Sequence, residues 1–162
     1  MDSRLIQRAV LVYLTASELL VGVWATLFPR SFYDDFPGVG RVWVAVDGPF
    51  NEHLVRDVGQ LSLALAVIGL AAALTMHVAI VRAAGVALLV NGVPHLVYHL
   101  RHLDKYSIGD KVGNVVSLSL LVVLPAIVLA LSGRDCLSQT PLRDRHNGQR
   151  STFEGSEHER ST

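Results

Sequence analysis

The sequence predicts an all-α fold, a four-helix transmembrane bundle with a disordered polar C-terminal tail. Three observations carry that prediction. Four apolar stretches reach the roughly 20 residues that a membrane-spanning helix needs. Hydrophobic residues make up 51% of the 162-residue chain and charged residues only 17%, a balance that points to a membrane protein. After Gly133 the composition turns abruptly polar, as "RDCLSQTPLRDRHNGQRSTFEGSEHERST". A formal net charge of zero gives no footing for nucleic acid as a partner. The single cysteine, Cys136, excludes an intrachain disulfide and argues against a Cys-based metal site. Arginine outnumbers lysine twelve to two, the usage of a GC-rich bacterial genome.

The first span is residues 9–28. Arg4 and Arg8 ahead of it resemble the start of a signal peptide. The run is long for such a segment, carries Glu18 at its centre and lacks an A-x-A cleavage site, so it reads as a retained helix. Pro29 ends it. The following segment, 30–51, is too polar and too broken by Gly and Pro to span, and its Phe32, Tyr33, Phe36, Trp43 and Phe50 suit a membrane interface. Asn51 is the expected N-cap of the second span, 54–74, with Glu52 in its first turn. The third span, 78–100, follows after almost no loop, and Pro94 within it leaves the Val90 carbonyl without its helical donor. "DKYSIGD" leads to the fourth span, 112–132, with Asp110 as the expected cap.

The bundle is thus 1–133 and the tail 134–162. Eight arginines lie on the side of the termini, against six basic residues on the other side that are diluted by Asp34, Asp35 and Asp47. This bias predicts a multi-pass protein of the cell membrane with both termini and the tail cytoplasmic.

Three spans carry polar stripes at i, i+4, i+7 in the same leaflet. They are His53, Asp57 and Gln60; His95, His99 and His102, extended inward by Asn91; and Asp110, Asn114 and Ser117. At 100° per residue the three histidines fall within about 60° of one another. In the first span Glu18, flanked on its face by Thr15, Gly22 and Ala25, lies about 15 Å from the helix end, near the bilayer centre. Ionisable groups within spans normally face the bundle interior. The simplest assembly therefore turns all stripes inward around a polar pocket of Glu18, Glu52, Gln60, Asn91, His102 and Asn114, with Glu18 as its floor.

His95 and His99 have the spacing to share a divalent transition metal ion, with His53, Asp57 or Glu52 completing the shell. His95 and His102 lie about 10.5 Å apart along the axis and cannot both reach that ion. Haem held between His53 and a third-span histidine is a lesser expectation, and no c-type attachment motif is present. One dense histidine cluster is too few for a membrane di-iron oxygenase. The Asp57–His99 neighbourhood is the expected centre, because a carboxylate on an imidazole N–H fixes its tautomer. The plainer reading is interfacial charge placement. His99, Arg101, His102 and Lys105 complement helix C-termini, and Glu52, Asp57 and Asp110 complement N-termini. Asn91 and Gln60 then serve as interhelical hydrogen-bond formers.

"FYDDFPGVGRVWVAVDGPFNEHLVRDVG" and the later "VPHLVYHLRHLDKYS" resemble a group of four-span actinobacterial membrane proteins, broadly similar to the DoxX-like group, over residues 10–130. The resemblance implies a four-helix integral membrane protein and carries no catalytic role. Three functions follow as expectations. The first is a binding or redox-accessory protein taking a metal ion or small ligand. The second is a small membrane enzyme with Glu18 or Asp57 as buried acid or base. The third is a structural protein. The expected partners are the lipid bilayer, that ligand and, compatible with the same helices, further copies of the chain.

Overall fold

The computed structural model describes residues 3–137, with side chains to 133. In chain order the elements are α1 (Ser3–Leu27), α2 (Pro29–Asp35), β1 (Pro37–Gly38), β2 (Arg41–Val42), α3 (Glu52–Thr75), α4 (Val78–Arg101) and α5 (Ile108–Leu137), with 3-10 turns at 45–47 and 103–105. α1, α3, α4 and α5 are each long and apolar enough to cross a membrane. At 1.5 Å per residue even the 24-residue helices exceed the ~30 Å hydrocarbon core. This is a multi-pass integral membrane protein built on four helices. Contacts divide the chain into units 1–132 and 133–162. The tail expected to be disordered lies outside the described residues, apart from the helical backbone of 134–137.

The starts of two spanning helices differ from the sequence reading for local reasons. α1 begins at Ser3 because its first turns are held by the far end of α5: buried Gln7 donates to Ser132 Oγ at 3.4 Å. α5 begins at Ile108, so Asp110 is not its cap. Ser107 is: its Oγ accepts from the Asp110 backbone N–H at 3.2 Å, the N-cap bond, and donates to Asp110 Oδ2 at 2.5 Å. Asn51 caps α3 as expected, its Oδ1 accepting from Leu54 N–H at 3.1 Å. Met76, in the left-handed region at φ 48°, turns the chain directly into α4.

Small residues set the helix spacing. In the α1–α3 seam a Cβ at Gly59 would lie 2.7 Å from the Thr26 backbone nitrogen, one at Gly22 2.9 Å from that of Leu63, and one at Gly69 2.6 Å from Thr15 Oγ1. In the α4–α5 seam a Cβ at Gly92 would meet the Leu121 carbonyl at 3.0 Å, and one at Gly85 would meet Leu129 Cγ at 2.8 Å. Such close approach is how helices gain attraction in lipid, where no hydrophobic drive joins them. The core between the seams is Leu11, Ala72, Ala73, Val81, Ala84 and Val128, with Leu14, Leu65 and Leu88 nearer the middle.

The α1–α3 connection is a built strap. Pro29 opens α2 at its first turn. β1 and β2 form a two-residue hairpin, Gly38 opposite Arg41, whose turn residues Val39 (φ 52°) and Gly40 (φ 72°) are both left-handed. Trp24, Phe32, Phe36 and Trp43 then form a chain of ring contacts with centroids 4.7–6.2 Å apart. Strap and ring chain together cap one end of the bundle.

Candidate functional site

The α3 stripe does not face the bundle, which corrects the expected inward pocket. The His53 and Asp57 side chains are 86% and 50% exposed and, among the described residues, pair with each other, Nδ1 to Oδ1 at 3.5 Å. Gln60 is exposed too. Glu52 is exposed and taken by Arg56 Nε at 2.9 Å, while Arg56 Nη1 donates to the Thr26 carbonyl. Asp57 is therefore not the partner of His99. The reason is angular: Gly59, Ser62, Ala66, Gly69 and Ala73, buried on α3, lie about 180° around the helix from His53, Asp57 and Gln60. One helix cannot bury both faces in a four-helix bundle, and the small-residue face makes the close contact. With His53 turned outward, α3 and α4 do not present the His53–third-span histidine pair expected to hold haem from opposite sides.

Glu18 does turn inward. It is 6% exposed, on the same buried face as Thr15, Gly22 and Ala25, and its side-chain hydrogen-bond partner is buried Ser62 of α3. It therefore belongs to the α1–α3 seam. Asn91 and His102 are half-buried, and Asn114 is 2% exposed. Among the described residues no three of His, Cys, Asp and Glu converge as a metal-ligating group. The surface depression of about 260 Å³ on α5 is lined by Lys111, Val112, Val115 and Val116 and touches none of the expected site residues.

What does assemble is a cluster at the capped end of α4. The His95 and His99 rings lie 4.8 Å apart, tilted by 34°, with His95 the more exposed. His102 stacks on Tyr98 at 4.2 Å, and its Nδ1 donates to the Tyr98 carbonyl at 2.7 Å, which takes it out of the pair. Tyr106, 6% exposed, donates its hydroxyl proton to the Trp43 carbonyl at 3.0 Å. That hydroxyl can then only accept at His99 Nδ1, 3.5 Å away. The network assigns the proton to Nδ1 and leaves His99 Nε2 with a free lone pair. Burial, reinforced by the Asp47 charge, pushes the Tyr106 phenol up to about 12, so it stays a donor at neutral pH. Asp47 also acts electrostatically on both His95 and His99.

The cap is fastened at two ion pairs. Asp110 Oδ1 accepts from Arg41 Nη1 at 2.5 Å and from Trp43 Nε1 at 2.9 Å. Lys105 Nζ donates to Asp47 Oδ1 at 3.1 Å, which holds the ammonium above its ordinary range. The Trp43 ring lies over Gly113, where a Cβ would be 3.1 Å from Cζ2. Sequence reasoning missed Trp43, Tyr106 and Asp47 as site residues, because their role rests on long-range contacts. Local pattern marks only the neighbouring elements: S-x-x-D at 107–110 the start of α5, and the heptad Gly85, Gly92, His99 the α4 face toward α5.

No protein-family model, curated protein or solved structure matches this chain.

Proposed function

We propose that this integral membrane protein is a binding protein whose site is the His95–His99 pair beneath the Trp43–Tyr106 cap, and that its ligand is a divalent transition metal ion. One observation carries the reading. Two imidazoles one helical turn apart sit ring to ring at 4.8 Å, and His99 has its Nδ1 committed to Tyr106, leaving Nε2 to ligate. A hydrogen bond on the far nitrogen is the usual partner of a metal-bound histidine. Water or a small ligand fills the remaining positions. The capped end is extracytoplasmic in this reading, following the arginine bias, and membership of the DoxX-like group is part of the same proposal. The enzyme alternative is weaker, because Glu18 is sealed in a different seam and Asp57 faces outward.

The test is zinc(II) titration of the purified full chain in detergent micelles by calorimetry. One ion per chain is expected, with affinity lowered at least tenfold in His95→Ala and His99→Ala. His53→Ala and Asp57→Asn, on the outer face of α3, should bind as wild type does. Absence of zinc binding, or binding indifferent to both α4 variants, overturns the reading.

A further inference from the structure

The α4–α5 seam has a regular register. Gly85 meets Leu129 and Gly92 meets Leu121, so seven residues forward on α4 correspond to eight backward on α5. Seven residues are about two turns, within about 20°, so a further step keeps the same facing. A further step of seven to eight residues on α5 brings His99 level with Gly113 and Asn114, and of the two only Asn114 carries a polar side chain. Asn114 is 2% exposed, and its Oδ1 is one of three buried side-chain atoms without a hydrogen-bond partner among the described residues. The other two, Thr15 Oγ1 and Thr26 Oγ1, are threonine hydroxyls in the α1–α3 seam, against Gly69 and Gly59. A sealed amide oxygen without a donor lowers stability wherever it stands. Replacing it with an apolar residue of similar volume removes that cost, so the amide oxygen needs a purpose other than packing.

We infer that Asn114 supplies the oxygen ligand of the ion held by His95 and His99, completing a two-nitrogen, one-oxygen donor set with an open position. This rests on the metal-binding reading above and specifies the ion class. Imidazole and amide oxygen suit a borderline divalent ion such as zinc(II) or cobalt(II), and a soft monovalent copper ion finds no sulfur ligand there. The set draws on two helices, so ion binding also clamps α4 to α5 at the capped end. Counting acidic, histidine and cysteine side chains alone overlooks such a site, because its third ligand is an amide.

The experiment uses the full chain in micelles and three variants: Asn114→Leu, Asn114→Asp and His99→Ala. Zinc(II) affinity, the cobalt(II) ligand-field spectrum and the apo melting temperature are measured for each. Asn114→Leu should melt no lower than wild type without metal, yet bind zinc at least tenfold more weakly. Asn114→Asp, which keeps an oxygen in place and adds charge, should bind zinc at least as tightly as wild type, with a cobalt spectrum shifted from it. Asn114→Leu binding zinc like wild type while His99→Ala does not would overturn this inference and leave the histidine reading standing. So would weakened binding in Asn114→Asp. No zinc binding by the wild-type chain would overturn the histidine reading itself.

Discussion

Gly59→Ala tests the packing that turned the α3 polar stripe outward. The added Cβ would sit 2.5 Å from Thr26 Oγ1, 2.7 Å from the Thr26 backbone nitrogen and 3.0 Å from Ala25 Cβ, where ordinary contact begins at 3.4 Å. The blocking atom at 2.7 Å is backbone, so no rotamer change relieves it. α1 must move away by about 0.7 Å, the difference between 3.4 and 2.7. Overpacking of this kind costs about 1–3 kcal/mol, and a rigid obstacle places it near the upper end. Alanine regains about 1 kcal/mol of helix propensity over glycine. The net expectation is a loss of about 2 kcal/mol, or a fall in melting temperature on the order of 4–8 °C for a chain of this size. The matched control is Gly109→Ala in the first turn of α5, whose Cβ meets only the Arg41 guanidinium, Nη1 at 3.7 Å and Nη2 at 3.9 Å, both ordinary contacts. It keeps the propensity gain without the clash and should be neutral to stabilising by up to about 1 kcal/mol. Both variants are read by thermal unfolding in one detergent. A Gly59→Ala protein as stable as wild type would refute the argument, since α1 and α3 would then not be in backbone contact there.

Two further outcomes follow from the capped end. The Tyr106 phenol stands at about 12, against an ordinary value of about 10, so between those pH values the folded chain keeps a proton the unfolded chain releases. The stability it contributes is complete below pH 10 and is lost as pH rises through 12. Unfolding followed across that window should show a steeper loss for wild type than for Tyr106→Phe, and equal slopes would remove the assignment. Val39 is 93% exposed and holds the left-handed conformation at φ 52°, which costs a β-branched residue on the order of 1–2 kcal/mol. Val39→Asn, the residue a type I′ turn prefers before glycine, should stabilise the strap by about 1 kcal/mol. Unchanged resistance of the hairpin to limited proteolysis would contradict this.

Span number, the place of each spanning helix and the Asn51 cap were legible in the sequence, because length, hydropathy and capping chemistry are local properties. The burial of Glu18 was legible too, since Thr15, Gly22 and Ala25 mark the same face as small enough for close packing. The direction of the α3 stripe was not. Read alone, His53, Asp57 and Gln60 obey the rule that polar groups within spans turn inward, and the competing stripe of Gly59, Ser62, Ala66, Gly69 and Ala73 lies on the opposite face. Only the approach of α1, to the Thr26 backbone, decides between them. His53 and Asp57 start α3 at its capped end, where half or more of each side chain stays exposed, so facing outward leaves neither polar side chain sealed in the bundle. The His99–Tyr106–Trp43 network and the Arg41–Asp110 pair were equally beyond the sequence. They join residues 7 to 69 positions apart, and such contacts exist only once the strap has folded back over the bundle.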